Sequence, residues 1–328
     1  MKIVAVSIID LTRPVEQKGF KSCLLVDCTK EIEKSIITDI KTLNGKDDAI
    51  KCATAFFANG GQTLTIVGQD LSETTDGKEL KDLLDGVKET NDFYGITAIF
   101  PSTKQKILLG KLKEYVEGNA GLAVTEVVGE VSAVKEICKD LNSDRVAVFA
   151  TNNVGVTTGL GAGVCGMGFP QNEGSITWAN KVVTGVPLSK YTTAEEEELL
   201  GENINYLTRE KGFNITQFGR TLSGSNIDIT RSKDWLNNRI SESLTSALVN
   251  SKKIAFTTKG LSIISNALSE VGAQAVAQDM LSKYDVVIPN VDEIPSTDKA
   301  NRVLRNVKFI ATLSGAVETI ELELHIKL

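Results

Sequence analysis

Apolar and polar residues alternate without a break over the last nine positions of the chain: Ile320, Glu321, Leu322, Glu323, Leu324, His325, Ile326, Lys327, Leu328. A period of two is the signature of a half-buried strand. Ile320, Leu322, Leu324, Ile326 and Leu328 fall on one face, with Glu321, Glu323, His325 and Lys327 on the other. No turn or polar tail follows, so the sequence stops in mid-strand. Near the opposite end, Ile3, Val4, Ala5, Val6, Ile8 and Ile9 form a second β-prone run. Such strands either tie the termini into the molecule's own sheet or exchange between subunits, because an uncapped edge strand is a template for pairing with another chain.

Between the termini the pattern alternates between helical and extended periods. Residues 47–59 predict a helix with Ile50, Ala53, Phe56 and Phe57 on its apolar side, and 63–67 a strand. A helix over 77–90 places Leu80, Leu83, Leu84 and Val87 together, and a strand follows at 95–100. The cycle repeats through a helix at 103–117 carrying Ile107, Leu108, Leu112 and Val116, a strand at 122–128, a helix at 131–141 and a strand at 145–151. Alternation of this kind predicts a largely parallel sheet covered by helices.

After residue 151 the texture changes. Residues 152–172 are rich in Gly, Thr and Asn without a strong period, which predicts irregular structure or a short Gly-rich helix with long flanks. Thr193 and Glu196 have capping-box spacing, which predicts a helix running to about Lys211; Glu195 to Glu198 would form its solvated first turn, where the helix dipole favours acids. A helix over 231–250 repeats Leu236, Ile240, Leu244 and Leu248 every four residues, and another spans 262–283. Strands return at 285–289, 306–313 and 316–328, the last two separated by Ser314 and Gly315 as a tight hairpin turn. The last third therefore reads as a separate α+β domain.

At 328 residues, 41% hydrophobic and 24% charged, the chain has the apolar content of a soluble protein of two ordinary domains. A net charge of -6 with no long Lys/Arg cluster argues against nucleic acid as a partner. The apolar run at the start closes at Asp10, too short for a membrane span and without a cleavage pattern after it, so it reads as a strand and the protein as cytosolic when made. Cys23, Cys28, Cys52, Cys138 and Cys165 have irregular spacing with no CxxC pair, which predicts reduced core thiols.

The chemical inventory is thin. His325 is the sole histidine, which largely excludes His-based triads and His-rich metal sites. No GxxxxGK[ST] loop exists. Gly161-Ala162-Gly163-Val164-Cys165-Gly166 satisfies GxGxxG, but about ten residues separate it from the preceding strand, whereas a dinucleotide fingerprint needs a tight turn directly off the strand. Those glycines read as permitting close backbone packing. Neither catalysis, a cofactor nor a metal is expected.

One ordered series of residues carries more. Gly174-Ser-Ile-Thr-Trp178-Ala-Asn180, Gly185-Val186, the capped helix at 193, Leu200 with Asn203 and Asn205, and Phe218-Gly219-Arg220-Thr221-Leu222 follow one another. Downstream come Asp228-Ile-Thr-Arg231 leading into Trp235, then Phe309-Ile-Ala-Thr-Leu-Ser-Gly315-Ala-Val; upstream, the helix at 53–57 is followed by a strand. In order and spacing the series resembles the contractile tail sheath proteins of contractile-tailed bacteriophages, R-type bacteriocins and related contractile injection particles.

The resemblance implies a structural protein, not an enzyme: a virion-tail or bacteriocin-particle subunit, assembled in the bacterial cytoplasm, that forms hexameric rings stacked helically around a tail tube and contracts to drive the tube through an envelope. It implies an N-terminal β arm at 1–20, an outer α/β domain at 21–217, and a tube-facing α+β domain at 218–328 ending in a β arm from about 316. Partners would be other copies of the chain, the tail tube protein, and baseplate and tail terminator proteins, with neither nucleic acid nor membrane. The intersubunit arms would be Ile3, Val4, Val6 and Ile8 at one end and Ile320, Leu322, Leu324, Ile326 and Leu328 at the other. Burying an aliphatic side chain is worth about 1.5–3 kcal/mol, and ordering a residue costs about 1–2 kcal/mol. One arm would thus bind weakly, and a lattice engaging several would gain from multivalency. Two rivals are a cytosolic Rossmann-like enzyme with a cofactor at the strand carboxyl ends, and a tail tube or adaptor protein, whose β-barrel-like fold the helices between 63 and 151 argue against.

Overall fold

The computed structural model describes residues 18–42, 47–153 and 157–323. The described chain divides into two compact units, one of residues 19–234 with 315–323, the other of 18 with 235–314. The N-terminal residues Ile3, Val4, Val6 and Ile8 and the C-terminal Leu324, Ile326 and Leu328 lie outside the described residues, as does His325.

In the first unit the strands are β1 (Cys23–Asp27), β2 (Ile32–Ile37), β3 (Leu64–Gly68), β4 (Gly95–Ile99), β5 (Leu122–Val128), β6 (Val146–Thr151), β7 (Asn205–Glu210) and β8 (Phe213–Gln217). They form one sheet in the order β2-β3-β1-β4-β5-β6-β7-β8. The pairs from β3 through β7 are parallel, whereas β2 and β8 are antiparallel at the edges. A mixed, mostly parallel sheet with helical crossovers is what the βα alternation predicted. β1, β3, β4 and β6 are buried at every position. Both faces of the sheet are covered, so these strands read as continuous apolar runs.

The helices are α1 (Asp48–Ala58), α2 (Lys78–Lys88), α3 (Gln105–Asn119), α4 (Val131–Cys138), α5 (Leu160–Gly168) and α6 (Thr193–Gly201). α2, α3, α4 and α6 pack in succession, and Leu80, Leu84, Leu108, Leu112, Val134 and Leu199 join Leu24, Val26, Ile96 and Val148 in one core. α5 lies along α1 and against β4, β5 and β6. All five cysteines are buried and free.

Two sequence expectations are corrected here. The capping box is formed by Thr192 and Glu195, not Thr193 and Glu196, and its helix ends at Gly201 instead of near Lys211. Residues 205–217 instead form the β7–β8 hairpin, because Asn205 and Tyr206 extend the sheet beside Phe149 and Ala150. Three of the four glutamates have partners: Glu195 closes the capping box, Glu196 accepts from Thr208 Oγ1 at 3.2 Å and Glu198 pairs with Lys135 at 3.1 Å.

α7 (Ile227–Asn250) begins in the first unit, whose boundary falls after Asp234, and continues in the second. The second unit contains α8 (Thr258–Ala277), β9 (Leu281–Val287), a short α9 (Ser296–Asn301) and β10 (Lys308–Leu313). β9 and β10 pair antiparallel, with Phe309 opposite Val286 and Ala311 opposite Tyr284. Their aromatic rings, Tyr284 and Phe309, stack at 5.9 Å. Gly272 of α8 meets the Tyr284 ring so closely that a Cβ there would come within 2.4 Å of it. Among the described residues the predicted hairpin of 306–313 with 316–328 is not formed: β10 pairs with β9 instead, and residues 316–323 belong to no strand.

Candidate assembly surfaces

Three residues of the series that carried the sheath resemblance, Trp178, Gly219 and Arg231, meet in one buried junction of the first unit. Trp178 is fully buried, edge-on to Phe169 at 5.5 Å, and its carbonyl accepts from Thr216 Oγ1 at 2.7 Å. Gly168 and Gly219 are glycine because of it: a Cβ at Gly168 would sit 2.3 Å from the indole ring, and one at Gly219 would sit 2.6 Å from Trp178 Cβ. Arg231, in the second turn of α7, is also fully buried. Its Nη1 donates to the Gly168 carbonyl at 2.8 Å, and Nη2 lies 3.3–3.4 Å from the carbonyls of Phe20, Phe169 and Gln171. The Glu173 carboxylate is 3.6 Å away, and the guanidinium stands over the rings of Phe169 and Trp178. Burial pulls the Arg231 pKa down, opposed by the neighbouring Tyr94, Glu173 and Asp228.

A second polar tie lies on the same helix. Arg145 makes two hydrogen bonds to Asp234, of 2.8 and 2.7 Å, and Tyr94 Oη donates to the same carboxylate at 2.7 Å. Burial pushes the Tyr94 phenol well above its ordinary range. Asn205 closes the adjoining turn: Arg220 N donates to its Oδ1 at 2.8 Å, while its Nδ2 donates to the carbonyls of Val148 and Arg220. These groups bond main chain and one another, an arrangement that holds backbone segments together.

The glycine run lies in α5 and works by close packing. A Cβ at Gly161 would come within 2.7 Å of the Glu126 nitrogen, and one at Gly166 within 2.1 Å of the Phe56 carbonyl oxygen. The amino end of α5, where a parallel sheet of this kind offers an anion site, is filled by the chain itself. Glu126 Oε1 accepts from Thr158 N and Oγ1 at 2.9 and 2.7 Å, and Oε2 accepts from Gly159 N and Leu160 N at 3.0 Å each. Burial pushes the Glu126 carboxyl up, and the donors of Thr158, Gly159 and Leu160 pull it down.

Of the predicted arm residues, Ile320 and Leu322 are described; each is 84% exposed. Val317 before them is 79% exposed. The structure therefore places these side chains in solvent, clear of their own chain's sheets. In the second unit, neither β9 nor β10 has another strand beside it among the described residues, and Val287 and Ile310 are exposed. The apolar stripe predicted on α7 is only partly covered, with Leu248 62% exposed at the mouth of a groove shared with Leu244, Phe256 and Leu304. Among the described residues no helix is long and apolar enough to cross a membrane.

No protein-family model matches the sequence, and no curated protein does. Solved structures do match over its whole length. A chain of the anti-feeding prophage baseplate aligns with a TM-score of 0.71 at 16% identity, covering 100% of this chain and 99% of its own. The anti-feeding prophage helical sheath in its contracted state aligns at 0.70 and 17% identity, covering 99% of each chain. The contracted sheath complex of the extracellular contractile injection system PVC aligns at 0.68 and 14% identity, covering 98% of each. The chain has the fold of these contractile-system proteins from end to end.

Proposed function

We propose that the protein is a structural subunit of a contractile sheath, polymerising as stacked rings around a tube and contracting to drive that tube through a bacterial envelope. The observation that carries this reading is the fold likeness over 98–100% of the chain to contractile-system components, with almost no length left over on either side. The exposed apolar residues at 317–322 and the open two-stranded sheet support it, because among the described residues each lacks the partner its pattern calls for.

On this reading Ile3, Val4, Val6 and Ile8 with Ile320, Leu322, Leu324, Ile326 and Leu328 add strands to a neighbouring copy, and the sheet of β9 and β10 receives them. The α+β unit faces the tube and the α/β unit lies outside. Baseplate and terminator proteins cap the stack, and the particle assembles in the bacterial cytoplasm before release. The work is stored in the packing of the lattice and released by rigid-body repacking, so neither nucleotide nor cofactor takes part. The Rossmann-like enzyme is disfavoured by Glu126, which occupies the amino end of α5.

Negative-stain electron microscopy across a concentration series tests the proposal. Striated hollow tubes, or rings that stack into them, are expected from the full chain, and folded monomers without tubes from a variant lacking residues 319–328. Normal tubes from the truncated protein refute the arm assignment. Uniform dimers or tetramers at every concentration, with a tightly bound stoichiometric nucleotide, refute the sheath reading.

A further inference from the structure

One polar contact on the C-terminal segment goes beyond that assignment. We propose that Thr177 and Asn180 form a clasp on Glu318, fixing the root of the C-terminal arm so that residues up to 318 stay on the α/β unit and only 319–328 are free to reach a second copy. The inference rests on the arm reading above for its purpose, and on geometry for its existence. Thr177 Oγ1 donates to Glu318 Oε1 at 3.0 Å, and Asn180 Nδ2 donates to the Glu318 carbonyl at 2.9 Å. One bond grips the side chain and the other the main chain, so the residue is fixed in position and in direction.

The donors are themselves held. They flank Trp178, which is fully buried. Ala179 N donates to Thr177 Oγ1 at 3.2 Å, and Asn180 N donates to the Thr216 carbonyl at 2.9 Å. Asn180 takes the left-handed backbone conformation, φ 57°, which Asn tolerates better than most residues. By contrast, the side chains on either side of Glu318 are in water: Val317 is 79% exposed and Ile320 84%. A single gripped residue between exposed neighbours is the pattern of a tether point, not of a packed strand. The position also explains why the Trp-Ala-Asn step belongs beside Arg231: the junction supplies a rigid base for the tether.

The clasp sets the reach of the arm. Ten residues beyond it span at most roughly 35 Å when extended. Freeing the chain back to Gly315 adds three residues, or roughly 10 Å, and removes the fixed direction. Subunit spacing in an assembly would then be less well determined.

The endoprotease that cuts after glutamate provides the test, with Glu321 as an internal reference three residues beyond the clasp. In the wild-type single chain, cleavage after Glu318 should be slower than after Glu321, read by mass spectrometry of the released peptides. In the double variant Thr177→Val, Asn180→Asp the Glu318:Glu321 cleavage ratio should rise about tenfold, since cutting tracks the population of the open form. The melting temperature should fall by at most a few degrees, because Thr177→Val also removes the acceptor of Ala179 N. If the double variant fails to fold, Asn180→Asp alone, which removes the donor to the Glu318 carbonyl and keeps the side chain's shape, should raise the ratio in the same direction. Equal cutting at both sites in the wild type, or a ratio unmoved in a folded variant, overturns the clasp. This readout needs no polymer, so it stands or falls separately from the sheath reading. A released Glu318 in tubes of unchanged subunit spacing overturns the role assigned to it in the arm.

Discussion

Replacing Arg231 by leucine should destabilise the α/β unit severely. The guanidinium is fully buried and makes one short bond, to the Gly168 carbonyl at 2.8 Å, with three longer ones at 3.3–3.4 Å. Leucine fills much of the volume over Phe169 and Trp178, so packing loss is the smaller part. What remains is a Gly168 carbonyl that keeps only its longer bond from Gln171 N at 3.3 Å, the lost bond being worth about 0.5–1.5 kcal/mol, and the Glu173 carboxylate, buried and stripped of its cation, for which breaking a buried pair costs about 3–5 kcal/mol. These overlap, because both are parts of one desolvation, and a net loss of about 4–6 kcal/mol is expected. Against a typical domain stability of about 5–15 kcal/mol, that leaves a marginal fold. Urea unfolding followed by tryptophan emission is the natural assay, since Trp178 lies 5.8 Å from the guanidinium carbon. Adding Glu173→Gln to the leucine variant should recover about 1–3 kcal/mol by removing the stranded charge. A loss below about 1.5 kcal/mol from Arg231→Leu alone, or no recovery in the double variant, would refute the idea that this cation is what ties α7 to the loop at 168–173.

Glu126→Ala should cost about 2–4 kcal/mol, since it leaves the Thr158 and Gly159 nitrogens at the amino end of α5 unmet and Leu160 N with only its 3.3 Å bond to Thr158 Oγ1; a loss under about 1 kcal/mol in chemical denaturation would contradict the cap. A thiol reagent applied to the native protein should modify none of the five cysteines until it unfolds, because all are buried and burial pushes the thiols of Cys28, Cys52, Cys138 and Cys165 up, Cys138 to about 12. Fast stoichiometric labelling in the native state would argue against that packing.

The parallel core was legible because its helices are amphipathic and its strands are short apolar blocks between Gly, Asn and Asp. Leu80, Leu84 and Val87 repeat on one face of α2 whatever surrounds them. β1 and β2 were not singled out; Ile32–Ile37 has no clean alternation to mark it. The capping register was ambiguous in the sequence itself, since Thr192 with Glu195 and Thr193 with Glu196 offer the same spacing one step apart. The stop of α6 was hidden because the pairing that wins over helix, Asn205 beside Phe149, joins residues 56 positions apart. The Glu126 cap and the Arg231 junction were illegible for the same reason. Their partners lie 32 to 34 positions away in one case and from 58 to 211 in the other. What the local pattern did supply was the motif series around Trp178, whose Gly219 and Arg231 prove to be what a buried indole requires of its neighbours.

The two halves of the chemistry point the same way. A parallel sheet with a glycine-rich helix at its carboxyl edge is a common place for a phosphate, yet here the amino end of that helix is occupied by the chain's own carboxylate. The polar residues that are buried serve to bind backbone to backbone. The unsatisfied pattern lies elsewhere, in a segment that exposes Val317, Ile320 and Leu322 in succession, and in a two-stranded sheet with no third strand among the described residues. A pair of strands is marginal in water on its own and gains stability from further strands. Among the described residues, the segment and the sheet therefore have complementary deficits, and both are open. If each copy supplies the strand that another copy lacks, the stability of residues 235–314 becomes a function of assembly. Hydrogen exchange then provides a direct reading: amides of β9 and β10 should exchange quickly in the monomer and become protected on polymerisation, whereas those of β1, β4 and β6, already buried, should change little. Equal protection of β9 and β10 in both states would mean that the sheet is complete without its neighbours, and the argument for strand exchange at that sheet would fail.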